Sequence, residues 1–204
     1  MSESVQPDTL RTFIAVEPDA RIRQWHQGVR DQLSASHRGV RWVRPESFHL
    51  TLSFLGDVER ERVPVVSSCM VETLRDEPAF SVRLGQPGVF GRSRAPRVFW
   101  IALESGETLN RLKELQSRLV KNLDASGFPT EKRSWKPHLT LGRNPRSKSA
   151  PDWEKVADPS EENLELNVDH WTLFSSELSS EGPRYEVLAR SELAAASPGE
   201  PACE

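Results

Sequence analysis

The spacing of hydrophobic and polar positions changes several times along the chain, and the changes mark out its elements. Residues 11–16 ("RTFIAV") alternate and are rich in β-forming side chains, which predicts a strand. Beyond Pro18 and Asp19, the residues Ile22, Trp25, Val29 and Leu33 recur at helical spacing. Residues 48–56 ("FHLTLSFLG") read as a second strand, and residues 63–74 as a helix stopped by Asp76, Glu77 and Pro78. Strands are predicted at 80–85 ("FSVRLG") and 97–103 ("RVFWIAL"), on either side of "QPGVFGRSRAP". The Gly and Pro residues of that stretch predict a loop; it carries Arg92 and Arg94, with Arg97 at its edge. The clearest helix places Leu109, Leu112, Leu115, Leu119 and Leu123 on one face, with Gly127 just past its end. A strand at 138–143 ("HLTLGR") precedes a polar loop to about residue 150, and strands at 164–174 and 184–190 complete the pattern. From Ala194 the Ala/Ser/Pro/Glu composition offers nothing to pack, so one domain over 1–193 and a disordered tail over 194–204 are expected.

Within this pattern one tetrapeptide recurs. "HLTL" stands at 49–52 and again 89 residues further on at 138–141, each time inside a predicted strand. Successive side chains of a strand point to opposite faces, so His49 shares a face with Thr51, and His138 with Thr140, while the leucines face the other way. Leucines packed on a helix layer would leave an imidazole and a hydroxyl displayed together on the open face. Each copy sits among strands and helices of similar kind, which predicts an α+β fold of two pseudo-symmetric lobes.

The four displayed side chains form a chemical set. Imidazole alone titrates near neutrality without perturbation, so two of them can hold opposite protonation states at one pH, one taking a proton and the other giving one. A threonine hydroxyl donates a hydrogen bond from a stiff β-branched side chain. Paired acid and base around a cradle for anionic oxygens suit in-line displacement at a phosphodiester without a metal. Neither copy has an Asp, Glu or Cys beside it to complete a metal site, so no metal or cofactor is expected. His26, His37 and His170 lack a threonine at this spacing and read as ordinary core or surface histidines.

Composition adds bounds. A 204-residue chain with 28% charged and 36% hydrophobic residues describes a soluble globular protein. It shows no apolar run long enough to span a bilayer and no secretory leader pattern, which predicts a cytoplasmic address and no membrane contact. Cys69 and Cys203 cannot build a disulfide framework or a multi-thiolate zinc site. Residues 151–204 hold 3 Lys and Arg against 13 Asp and Glu, and the first 150 hold 24 against 17. A mildly basic body suits a phosphate-bearing ligand and does not require wrapping by a long nucleic acid. No heptads are present, and a monomer is expected.

Taken together, "RTFIAVEPD", "FHLTLSFLGDV", "GVFGRSRAPRVFW", the leucine helix and "GFPTEKRSWKPHLTLGR" resemble the RNA 2′,3′-cyclic phosphodiesterases. These proteins, historically called 2′-5′ RNA ligases, belong to the two-histidine phosphoesterase superfamily, and the likeness runs in order from about residue 11 to residue 143. The resemblance implies a bilobal fold, with two antiparallel sheets lining a central cleft and helices outside. It implies metal-independent hydrolysis of RNA 2′,3′-cyclic phosphate ends to 2′-phosphates, with His49 and His138 as acid and base and Thr51 and Thr140 holding phosphoryl oxygens. Which histidine is the base stays open. It also implies a phosphate-binding arginine at Arg143, although period-two counting puts Arg143 on the leucine face unless Gly142 bends or bulges the strand. For the base, Phe13, which shares a face with the small Ala15, and Trp100 are the candidate platforms. ATP-independent 2′-5′ joining and a non-catalytic nucleotide-binding module are the alternative functions.

Overall fold

The structure is a computed structural model, and it describes residues 8–34, 39–92, 95–131, 133–144, 162–179 and 182–195. Among these residues, nine strands and three α-helices follow in the order β1 (Thr9–Val16), α1 (Ala20–Ser34), β2 (Arg41–Trp42), β3 (Leu50–Glu59), α2 (Val63–Leu74), β4 (Phe80–Arg92), β5 (Ala95–Leu103), α3 (Glu107–Ala125), β6 (His138–Arg143), β7 (Glu165–Val168), β8 (His170–Ser179) and β9 (Gly182–Glu192). Asp19 caps α1, its Oδ1 accepting the Ile22 amide at 2.9 Å. At the other end of α3, Gly127 turns left-handed (φ 78°) and the Phe128 amide returns to the Leu123 carbonyl, as the sequence predicts.

Among the described residues every pair of strands is antiparallel, in the order β7-β4-β5-β6-β3-β1-β8-β9 with β2 beside β6. The two expected sheets are halves of one path, joined where β3 meets β6 through the single pair Leu50↔Leu139. Leu50, Leu52, Leu139 and Leu141 are buried in one core with the five leucines of α3 and with Ile22, Trp25, Val29 and Leu33 of α1. Burying a leucine contributes about 1.5–3 kcal/mol, so these stripes fix which face of each HLTL strand turns inward. The opposite face carries the histidines and threonines.

Two elements differ from expectation. The predicted loop over 86–96 is instead the end of a long hairpin formed by β4 and β5. Its Gly and Pro residues mark irregularities rather than a break: the register shifts between Leu84 and Pro87, where proline has no N–H to give, and again between Phe90 and Gly91, whose φ is 114°. The predicted strand over 164–174 is two strands, for β7 pairs with β4 in one half and β8 with β1 and β9 in the other. At the C-terminal end, Ala194 belongs to the fold, since it bridges Pro78 and exchanges backbone hydrogen bonds of 2.8 Å with Glu77 and Ala79. Residues 196–204 of the expected tail, and the side chains of Arg92 and Arg94, lie outside the described residues.

Candidate active site

The antiparallel register through Leu50↔Leu139 sets His49 opposite Thr140 and Thr51 opposite His138. The four predicted side chains therefore stand on the open face as a two-by-two array, histidines on one diagonal and threonines on the other. Beyond this pair the strands part, and backbone groups that lose a strand partner gain others. Trp135 donates its indole N–H to the Thr51 carbonyl and Gln116 its amide to the Leu52 carbonyl, both at 3.0 Å. The Val43 amide donates to the Leu141 carbonyl at 2.9 Å.

Both imidazoles are anchored the same way. His138 Nδ1 lies 2.6 Å from the Lys136 carbonyl, and His49 is bonded to the Ser47 carbonyl, in each case two residues back. A ring that donates from one nitrogen presents the other, when neutral, as an acceptor. His49 Nε2 is 3.1 Å from Thr51 Oγ1, and a neutral ring that donates from Nδ1 accepts the hydroxyl's hydrogen at Nε2. Burial pushes the His49 pKa down to about 4, with Arg23 and Arg143 adding to the effect and the Ser47 carbonyl and Glu17 opposing it. His138 is also held below the ordinary imidazole value, first by burial and then by Arg143, against the Lys136 carbonyl.

Arg143 reaches this face because β6 slips. Phe99 pairs with Gly142 and Trp100 with Thr140, leaving Leu141 as an extra, bulged residue. Leu141 and Gly142 are consequently both buried, and Arg143 returns to the side of Thr140, exposed and without an ion pair among the described residues. Gly142 supplies space rather than an unusual conformation: a Cβ there would stand 2.8 Å from Val40 Cγ1 and 3.0 Å from Trp42 Cε3. The bulge sits one residue earlier than the glycine suggests.

The two aromatic candidates fare differently. Phe13 is 3% exposed, with its ring against His49 (centroids 4.8 Å), Phe174 (5.2 Å), Tyr185 (4.9 Å) and Phe54 (5.9 Å). The space beside Ala15 is filled by Phe174 and Tyr185, so Phe13 is a wall that orients His49 and offers no face to a ligand. Trp100 is half-buried across Gly88, near Phe90 (4.9 Å) and His138 (6.1 Å), and stays on the cleft face.

Other groups around the cleft carry no local sequence signal. Glu17 ends the open face of β1, accepting hydrogen bonds from Thr172 (2.8 Å) and Arg190 (3.1 Å), with Arg23 at 3.6 Å and His170 at 3.5 Å. Burial alone would raise its pKa; Thr172, Arg190 and His170 more than offset this and hold it below the usual carboxylate range. Tyr185 meets the His49 ring edge-on at 5.5 Å. Among the described residues, no three His, Cys, Asp or Glu side chains are grouped as metal ligands, and no helix is long and apolar enough to cross a membrane.

A cleft lined by one His-x-Thr strand from each half of a folded-over sheet defines the class, and comparison with known proteins gives the family. Residues 18–179 match the family model of the 2′-5′ RNA ligase superfamily, and the chain belongs to that superfamily. It is 34% identical over 181 residues to the RNA 2′,3′-cyclic phosphodiesterase of Thermotoga maritima, covering 88% of this chain and 93% of that one. With the protein of the same name from Methanothermobacter thermautotrophicus it shares 33% identity, over 86% of this chain and 95% of the other. Among solved structures, E. coli LigT complexed with 3′-AMP is similar at a TM-score of 0.75 and 27% identity, over 91% of this chain and 99% of that one. TT0787 of Thermus thermophilus superposes at 0.74 with 30% identity, over 91% and 99%.

Proposed function

We propose that this protein hydrolyses 2′,3′-cyclic phosphate ends of RNA to 2′-phosphates by paired histidine acid–base catalysis. The observation that carries the reading is the diagonal array, with both imidazoles fixed through a backbone carbonyl and Arg143 beside them. Residues diagonal across an antiparallel pair stand about 7–8 Å apart, room for a tetrahedral phosphate between two imidazoles on opposite sides of the phosphorus. In-line displacement needs that disposition, since the entering and departing oxygens are apical.

The difference between the two sites supports one assignment of roles. His49 is the more deeply enclosed, burial pushes its pKa down to about 4, which favours the neutral ring, and Thr51 Oγ1 stands 3.1 Å from its Nε2. His49 takes a proton from water as the water oxygen bonds to phosphorus. His138 gives its proton to the 3′-oxygen as the P–O3′ bond breaks, leaving the phosphate on O2′. Thr51, Thr140 and Arg143 hold the phosphoryl oxygens as charge builds on them. An acid–base role of this kind contributes roughly 10²–10⁴-fold to rate.

The test is incubation of a 2′,3′-cyclic-phosphate-ended oligonucleotide in EDTA, resolving 2′- from 3′-phosphate. Wild type should give the 2′-phosphate, and His49→Ala and His138→Ala should give almost none while remaining folded. Near-normal activity in both variants, or a strict metal requirement, contradicts the reading. A 2′-5′-joined product formed without ATP would favour the ligation that the superfamily's name describes.

A further inference from the structure

The chain enters β3 through a single 3₁₀ turn, Pro45–Ser47. Its bonds run from the Ser47 amide to the Arg44 carbonyl (2.9 Å) and from the Phe48 amide to the Pro45 carbonyl (3.3 Å). Hydrogen bonds of this kind of turn are poorly aligned, so one turn by itself holds its carbonyls loosely. Yet the carbonyl of its last residue, Ser47, is the group that anchors the His49 imidazole. The ring is held no more firmly than the turn that supplies its acceptor.

Arg23 restrains that turn from outside. It projects from the first turn of α1, a helix seated in the core by Ile22, Trp25, Val29 and Leu33, and its guanidinium is shared among three partners. Nε donates to the Pro18 carbonyl at 2.9 Å, Nη1 donates to the Pro45 carbonyl at 2.5 Å, and Nη2 faces Glu17 Oε1 at 3.6 Å. The planar fork thus ties the end of β1 to the start of the turn, and the Pro45 carbonyl accepts from Arg23 and Phe48 at once. Glu17 follows Val16, which pairs with Leu50, so the register sets this carboxylate beside His49 across the sheet.

The repeat provides an internal comparison. Lys136, whose carbonyl anchors His138, is braced by its neighbour Trp135, whose neutral indole donates to the Thr51 carbonyl. Two histidines in the same local motif are therefore held by different chemistry, a guanidinium behind one and an indole beside the other. The geometry points to Arg23 as a positioning residue for His49, a clamp that fixes the Ser47 carbonyl and through it the tautomer and tilt of the imidazole that takes the proton from water. This rests on the proposed function, in which His49 is the base. Charge adds a second effect. The charged or titratable groups facing His49 are Arg23 from α1, Glu17 from the end of β1, Arg143 from β6 and Tyr185 from β9, while β1 and β8 contribute the neutral rings of Phe13 and Phe174. Arg23 and Arg143 favour the neutral imidazole and Glu17 the protonated one, so removing Arg23 should raise the His49 pKa as well as loosen the ring.

The experiment compares wild type with Arg23→Met and Arg23→Lys, below the temperature at which any of them begins to unfold. Long-range proton–nitrogen correlation NMR of the imidazoles reads tautomer and pKa, and kcat and KM on a cyclic-phosphate-ended oligonucleotide read catalysis. Wild-type His49 should be a single tautomer protonated on Nδ1. Arg23→Met should average the His49 tautomers, raise the His49 pKa and leave His138 as it was. Its kcat should fall roughly 10²-fold, the cost of misplacing a reacting group by about 1 Å, with little change in KM. Arg23→Lys keeps the charge but offers a point donor in place of the fork, so it should keep the His49 pKa and recover only part of kcat. A His49 tautomer unmoved by Arg23→Met, equal disturbance of both histidines, or full kcat in either variant would overturn the assignment. The imidazole spectra do not depend on turnover. Loosening of His49 by Arg23→Met in a protein that hydrolyses nothing sinks the enzymatic reading and leaves the clamp standing, and normal hydrolysis with His49 indifferent to Arg23 does the reverse.

Discussion

Gly142→Ala probes how Arg143 is delivered to the cleft. A methyl group at residue 142 would meet Val40 Cγ1 at 2.8 Å, Trp42 Cε3 at 3.0 Å and the Arg41 carbonyl at 3.3 Å. The first distance is shorter than side chains tolerate, and the atom in the way belongs to a β-branched core residue with little freedom to withdraw. Overpacking of this kind costs about 1–3 kcal/mol. For a chain of this length that corresponds to a fall of about 2–12 °C in Tm. The relief open to the protein is to lift β6 from β2, whose two pairs involve Gly142 and Arg143 themselves. Arg143 moves with its backbone, and a displacement near 1 Å at a charge-stabilising group costs on the order of 10²-fold in rate. Thermal unfolding and kcat/KM on a cyclic-phosphate oligonucleotide should be measured for Gly142→Ala, Arg143→Met and the double variant. The double variant should show the stability loss of Gly142→Ala and the activity of Arg143→Met alone, since the glycine acts on catalysis through the arginine. Multiplicative activity losses in the double variant, or full activity in Gly142→Ala, would refute this account.

Other predictions concern the histidines. Arg143 lowers the pKa of both, so Arg143→Met should move the acid limb of the kcat/KM pH profile to higher pH; an unmoved limb would show that the guanidinium does not face the imidazoles. If His138 protonates the leaving group, His138→Ala should recover activity on a substrate whose 3′-oxygen is replaced by sulfur, a leaving group that needs no proton. Recovery by His49→Ala instead would reverse the roles. His26 is fully buried on α1, stacked on Phe48 at 4.0 Å, and burial chiefly pushes its pKa from 6.5 down to about 4. The unfolded chain then binds the proton that the folded one refuses, so stability should fall as pH drops from about 6.5 towards 4, and less so in His26→Leu; equal urea midpoints at both ends of that window would contradict it.

Much of the site was legible because it is local. Two residues of spacing suffice to put His49 with Thr51 and His138 with Thr140, and buried leucines on the alternate positions fix the face. That Arg143 faces the cleft is suggested in the sequence only by the likeness, because the bulge that reverses its direction depends on the pairing of β5 with β6, which strand periodicity does not encode. Phe13 misled for a related reason. Its small neighbour Ala15 suggested vacant space, but that space is filled by Phe174 and Tyr185 from strands more than 150 residues away in sequence. The β4–β5 hairpin is hidden in the sequence by the glycines and proline that shape its bulges, residues that also mark loops. The division of residues 164–174 between two half-sheets is a matter of topology alone.

The join at Leu50↔Leu139 has a mechanical meaning. One rung of backbone pairing is a narrow seam, and each half of the seam carries its own imidazole. The separation of the two imidazoles is therefore not a property of either strand but of the dihedral angle at which the half-sheets meet, a coordinate set from behind by Trp135, Gln116 and the leucine layer. Substitutions in that backing layer, far from the cleft, would open or narrow the gap between the imidazoles, which makes the girth of the group that fits between them a variable that the core can tune while the four cleft side chains stay the same.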